Sequence, residues 1–230
     1  MLPIIEQPLS ECTVPSTGEV IKFRPFLVKE EKILMLASES DEYKEMVNAC
    51  GQIVTNCTFE KLDVSKIPMF DLQDIFLKIR MASVGSTQTF SMTCGDCEKT
   101  TELDVDISEI TVKGLDNLPN TEIKASDEIV IKMRFPSALD IVEGEDDMTD
   151  IETIKHCIAA VVTEEEEINM QEVSNEDLQE FIENLPMDVF NEMRNFLRGM
   201  PVLMHEMKFD CYHCKEPQVV NINGYEHFFG

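Results

Sequence analysis

The sequence predicts an α+β protein built as two pseudo-repeated halves, each running strand, helix, helix and Cys-x-x-Cys hairpin. Three observations predict it. Cys94-Gly95-Asp96-Cys97 and Cys211-Tyr212-His213-Cys214 each sit between stretches that alternate like strands. Phe90 and Met92 lead into the first pair, and Leu103, Val105 and Ile107 lead out; Met207 and Phe209 precede the second, and Val220 and Ile222 follow it. The upstream segments match too: Pro68-Met69 and Pro186-Met187 each open a helical pattern, 26 and 25 residues before the first cysteine of their knuckles. Further back, Ile21-Lys22-Phe23-Arg24-Pro25-Phe26 echoes Ile131-Lys132-Met133-Arg134-Phe135-Pro136, and helices carrying Cys50 and Cys157 hold the same relative place.

This reading divides the chain into an N-terminal arm (1–18), a first half (19–113), a linker (114–127) and a second half (128–230). The arm has no period and reads as a loose segment or an added edge strand, and its Leu2, Ile4 and Ile5 need cover. Ile21 and Phe23 alternate with Lys22 and Arg24 as a strand that Pro25 ends. Lys29-Glu30-Glu31-Lys32 opens a helix, with acids suited to its first turn and Ile33, Leu34, Leu36 and Ala37 on its packing side. Tyr43, Met46, Val47, Cys50, Ile53, Val54 and Cys57 recur at three- and four-residue steps. They predict a helix whose two cysteines are small core residues. Leu72, Ile75, Phe76 and Ile79 form the next stripe. Ser83–Ser86 turns into the first hairpin, and Gly114–Asn120 reads as linker.

In the second half, Ile129, Ile131 and Met133 form a strand. From Phe135 to Met193 the only cation is Lys155, against 18 acids. Glu143-Gly144-Glu145-Asp146-Asp147 and Glu164–Glu167 read as acidic loops flanking one helix with Ile151, Ile154, Ile158 and Val161 inward. Ser174 with Asp177 resembles a capping box before Leu178, Phe181, Ile182 and Leu185. Val189, Phe190, Met193, Phe196 and Leu197 form the last helix. Gly224-Tyr225-Glu226-His227-Phe228-Phe229-Gly230 is either a core plug or a docking peptide.

With 230 residues, 43% of them hydrophobic, the chain can bury a core. No apolar run reaches the roughly 20 residues of a membrane helix, and the start lacks the flank and apolar run of a signal peptide. A soluble cytosolic protein with reduced thiols is expected, so the eight cysteines point to metal and core uses, not disulfides. The net charge of −26 disfavours nucleic acid and anionic membranes as ligands and steers the chain towards basic partners. Much of it forms a solvated face in any case.

The two knuckles can offer Cys94, Cys97, Cys211 and Cys214 to one metal ion, as in a zinc ribbon that joins the halves. Zinc is the expected ion, in a structural role, because four protein ligands leave no position for substrate. Whether both pairs share the ion is left open. His213 can replace a cysteine as ligand, although an outward orientation is expected. Thiol redox chemistry is the competing reading, but a thioredoxin-like pair begins a helix, and here strands follow both pairs. His156 beside Cys157 does not make a catalytic pair, since helical neighbours point about 100° apart. There is no phosphate-binding glycine loop and no nucleophile elbow. No enzyme activity is expected.

Phe23-Arg24-Pro25-Phe26-Leu27-Val28-Lys29-Glu30-Glu31-Lys32-Ile33-Leu34, its continuation through Glu39-Ser40, Phe70-Asp71, Ser83-Val84-Gly85 and Cys94-x-x-Cys97 resemble the T4-like phage baseplate hub protein family. The likeness is clearest over residues 15–110. It implies a non-enzymatic protein of a contractile-tailed phage that acts in assembly or structure of the baseplate hub. Its implied partners are other hub and tail proteins, and its place the virion tail baseplate or the host cytoplasm during assembly. It supplies no catalytic residues and does not distinguish a retained subunit from a transient assembly factor. Two other classes remain: an acidic mimic of DNA that occupies a DNA-binding host protein, suggested by Asp140–Glu183, and a thiol- or metal-dependent enzyme.

Overall fold

The computed structural model describes residues 5–40, 42–143 and 149–223. Leu2, Ile4, the acidic stretch Gly144–Asp147 and the aromatic tail Gly224–Gly230 lie outside the described residues. The chain forms two compact units, one of Met1–Lys113 with Val202–Gly230 and one of Gly114–Pro201. In chain order, the first unit contains β1 (Ser10–Thr13), β2 (Val20–Phe23), α1 (Val28–Ser40), α2 (Tyr43–Cys57), α3 (Met69–Val84), β3 (Thr87–Thr93), β4 (Thr100–Asp106) and β5 (Thr111–Lys113). The second contains β6 (Glu122–Lys124), β7 (Val130–Met133), α4 (Ala138–Glu143), α5 (Asp150–Cys157), β8 (Ile158–Val162), β9 (Glu167–Asn169), α6 (Asn175–Glu183) and α7 (Met187–Arg198). The chain then returns to the first unit as β10 (Val202–Asp210) and β11 (Pro217–Asn223). The class is α+β, with small antiparallel sheets and seven helices among the described residues.

The N-terminal arm is an edge strand: β1 pairs antiparallel with β2, Ser10 opposite Phe23 and Thr13 opposite Val20. Ile21 and Phe23 point into the core and Lys22 out, as the alternation requires. The hairpin is fastened to α3 by polar contacts that the apolar pattern does not reveal. The backbone N–H and hydroxyl of Ser16 donate to buried Asp71, and Lys78 Nζ donates to Asp74 and to the Thr13 carbonyl. On α2, Met46, Val47, Cys50, Ile53, Val54 and Cys57 are all buried, and burial pushes the Cys57 thiol up to about 11. That cysteine is a neutral core residue. Gly85, at φ +94, ends α3 where an L side chain would strain the turn into β3.

The second unit has its own core. Ile123, Ile131, Met133, Ile154, Ile158, Leu178, Met193 and Phe196 are buried together beneath the four-stranded sheet β6-β7-β8-β9 and its helices. Two expectations change here. Ile158 and Val161 do not continue the helix of Ile151 and Ile154: α5 stops at Cys157, and Ile158–Val162 is a strand between β7 and β9. A central strand loses its alternation because both faces are covered, so Ile-Ala-Ala-Val-Val extended the helical stripe by coincidence. Residues 114–127 are not only a connection. They carry β6, whose Ile123 is 2% exposed in the core.

The compact units also differ from the repeat boundaries. The second hairpin leaves residues 128–201 and joins the first unit, because Val202–Met204 of β10 pairs with Thr111–Lys113 of β5. The two segments nonetheless share local devices. Arg24 N donates to the Cys57 carbonyl, and Arg134 N to the Cys157 carbonyl, at 3.0 and 2.7 Å. Arg24 grips Glu30 and Arg134 grips Asp140, each six residues on, and each carboxylate also accepts a backbone N–H three residues before it, from Leu27 or Ser137. Pro68 and Pro186 stand before α3 and α7 with nearly the same φ and ψ.

Glu30 is fully buried and Arg24 nearly so, hence removing one partner strands a charge. Glu30→Ala is expected to cost about 3 kcal/mol in chemical denaturation, against under about 1 kcal/mol for Glu11→Ala, which breaks an exposed pair with Lys22. Burial alone would raise the Glu30 carboxyl. The hydrogen bonds from Arg24 and Leu27, and the charges of Arg24 and Lys29, outweigh it and hold the group below its ordinary range. Asp140 is likewise lowered, Arg134, His156 and Ser137 overcoming its desolvation. Both groups bind protons more readily in the unfolded chain. The stability they give is therefore full above about pH 4.5 and is lost as pH falls through that value towards their folded ones. Thermal melts from pH 7 to 3 should show that loss, and E30Q/D140N should start from a lower Tm and fall less.

Candidate metal centre

Each knuckle is built by a strand that ends one residue before its first cysteine. β3 delivers Cys94 and β10 delivers Cys211. Cys94 N donates to the Lys99 carbonyl at 3.0 Å and Glu98 N to the Cys94 carbonyl at 3.0 Å; Cys211 N and Lys215 N make the same pair with Glu216 and Cys211, each at 2.9 Å. Glu98 (φ 58) and Lys215 (φ 66) hold the left-handed conformation that turns the chain into the outgoing strand.

The two hairpins bring all four predicted ligands together. The sulfurs of Cys94, Cys97, Cys211 and Cys214 lie within 4.8 Å of one another. Cys94 Sγ is 3.7 Å from Cys214 Sγ, and Cys97 Sγ is 3.7 Å from Cys211 Sγ. None of the cysteines is in a disulfide. Metal–sulfur bonds of about 2.3 Å in a tetrahedron place sulfurs about 3.8 Å apart, so the spacing fits a metal ion held by four thiolates. Cys94 and Cys211 are buried, Cys97 and Cys214 half-buried.

The electrostatics fit a cation as well. The backbone N–H groups of Cys214 and then His213 draw the Cys211 thiol down to about 6. The Glu216 N–H pulls Cys214 the same way, but desolvation and the crowding of Cys211, Cys94 and Cys97 push it up to about 12. One thiolate forms readily and the next is resisted by it. A bound cation lifts that resistance by neutralising the charge.

His213 is not among the clustered ligands. Its Nε2 lies 3.2 Å from the Thr100 carbonyl, so it carries a hydrogen and donates it to the first hairpin. Strands follow both pairs, β4 and β11, so neither thiol gains the helix N-terminus that a thioredoxin-like centre uses. Cys50, Cys57 and Cys157 lie apart in the cores, and burial pushes Cys157 up to about 12. Sequence reasoning missed Gln218. Its Nε2 donates to Asp96 at 2.7 Å and its Oε1 accepts from Gly95 N at 3.1 Å, clamping the second hairpin to the first knuckle. No spacing rule marks a glutamine four residues past a cysteine.

The fold and the site define an α+β protein whose two hairpins meet at a four-sulfur cluster that could hold a metal ion. Residues 8–230 match the family described as T4 bacteriophage base plate protein, and the chain belongs to that family. No curated protein and no solved structure matches it. Among the described residues no helix is long and apolar enough to cross a membrane.

Gln218→Ala removes both clamp bonds while leaving the sulfurs in place. Amide exchange measured by NMR should show the Gly95 N–H opening about tenfold faster, and unchanged exchange at Gly95 would show that the clamp is idle.

Proposed function

We propose that the chain is a non-enzymatic protein of the phage baseplate hub, acting in assembly or structure and binding other hub and tail components. The family match over nearly the whole chain carries this reading. The second support is the sulfur cluster, which we read as a structural zinc site: four thiolates suit zinc, and four protein ligands leave no place for a substrate. The protein works in the tail baseplate or in the host cytoplasm during assembly. The −26 charge speaks against nucleic acid and anionic membranes as partners and for basic protein surfaces. The shared arginine–carboxylate devices support residues 19–113 and 128–230 as two copies of one ancestral unit, the second copy's hairpin now completing the first unit.

Protein purified without added metal should carry one zinc per chain by elemental analysis. Cys94→Ser and Cys211→Ser should each lose the ion and lower Tm, because structural zinc contributes to folding. Metal-free protein whose four knuckle thiols all react freely in the native state would refute the site. Tagged protein recovered from infected cells should bring down baseplate hub components. Recovery of a host DNA-binding protein alone would favour the acidic DNA mimic instead.

A further inference from the structure

In the first unit, the hairpin β3–β4 and the sheet β11-β10-β5 enclose one core of Phe90, Met92, Val105, Leu203, Met207 and Ile222. Each presents an unfinished strand edge. β4 pairs only with β3, and among the described residues its other edge has no ladder. β10 pairs with β11 over Met204–Asp210, but on its other side β5 covers only Val202–Met204, and among the described residues His205–Asp210 has no partner strand there. A groove of about 480 Å³ lies between these two stretches, lined by Leu103–Asp106 of β4 and His205–Phe209 of β10. The pairing of Thr111 with Met204 closes one end. The hydrogen bond from His213 to Thr100, beside the sulfur cluster, closes the other.

The groove has a two-tone lining. Val105 and Met207 are buried and Leu103 and Phe209 are half-buried, so its floor is apolar. Its rim carries Asp104, Asp106, Glu109 and Glu206. The two basic groups are already engaged: Lys208 with Glu206 at 2.8 Å and His205 beside Glu109 at 3.6 Å. Unpaired strand edges recruit extended chains, since the incoming backbone satisfies N–H and C=O groups and alternate side chains enter pockets. A strand laid here sets every second residue on the apolar floor and the others against the carboxylates.

We propose that an extended segment of a partner protein, alternating apolar residues with lysine or arginine, docks in this groove as an added β-strand. The charge of the rim selects a basic segment over a neutral or acidic one. The proposal deepens the assembly reading by giving a partner contact a location and a chemistry. It rests on that reading only for the source of the segment.

The test uses the full-length protein, zinc-loaded, at about 0.15 M salt. The probes are the blocked peptide Lys-Val-Lys-Val-Lys-Val-Lys and a peptide of the same composition with its lysines and valines in separate blocks. Calorimetric titration should give at least tenfold tighter binding of the alternating peptide. That peptide should also slow amide exchange within 103–106 or 205–209. Asp104→Lys with Glu206→Lys should weaken it at least tenfold, while the equal charge reversal Glu39→Lys with Glu128→Lys, on exposed positions elsewhere, should change it less than twofold. Equal weakening by both reversals, no binding, or protection confined to other strands overturns the proposal. None of these outcomes bears on the recovery of hub components from infected cells, so the two readings fail separately.

Discussion

Two distant pieces of chain meet at a four-sulfur cluster and a three-residue ladder, and the first unit depends on that seam. Its body is made before Gly114 and its last hairpin after Pro201, with the whole second unit inserted between. Closing a flexible loop of that length costs about 4 kcal/mol by loop-entropy scaling. The insertion has its own core, and Lys113 and Val202 are register partners where it leaves and returns. A folded insertion with neighbouring ends removes much of the closure cost. What remains is to dock β10–β11, and a lone hairpin is at best marginally stable. Gln218 and His213 fix its far end beside the sulfur cluster, and the β5 ladder fixes its near end.

A second kind of fastening acts after β2 and again after β7. The arginine after the strand reaches a carboxylate six residues on, and its backbone N–H caps the carbonyl of a core cysteine. The strand end, the helix start and the end of a second helix thus meet at one charged pair. Burial makes the pair at Glu30 demanding, because neither charge can find water if the other moves. The pair at Arg134 is more exposed and bonded more closely, so geometry takes over part of what burial does at Arg24.

Much of this was legible in the sequence where hydrophobic period decides the structure. The stripe of α2, the proline starts of α3 and α7 and the alternation around both knuckles all correspond to formed elements. The four sulfurs meet because each knuckle lies between strands that bury their alternate residues in one core. The strand at Ile158–Val162 was hidden because buried strands do not alternate. The assignment of the second hairpin to the first unit was hidden because strand pairing between Thr111 and Met204 leaves no mark in either segment. Glu30 read as an ordinary first-turn acid. Its burial follows from Arg24, which a periodicity argument cannot pair with it. Asp71 and Ser83 belong to the strings on which the family likeness rested. Asp71 receives Ser16, and Ser83 Oγ accepts the Phe26 N–H at 2.9 Å, so those strings carry polar contacts that the hydrophobic pattern cannot register.

The charge of the chain bears on why a sulfur joint suits this fold. A net charge of −26 works against any compact state, and two thin hairpins have little core to oppose it. Four thiolates without a counterion would add to that repulsion, each charge opposing the ionisation of its neighbours. A divalent cation at the cluster would reverse the sign of the local argument: it would require the thiolates, bind them in one geometry and neutralise their charge. The acids of the groove rim, Asp104, Asp106, Glu109 and Glu206, oppose pairing of the open edges of β4 and β10 with a second copy of the chain, since like-charged rims repel, while they suit a basic segment. With an ion and a docked strand as proposed, acidity that would otherwise only loosen the fold acts in two places, favouring the ion at the knuckles and selecting what enters the groove along its length.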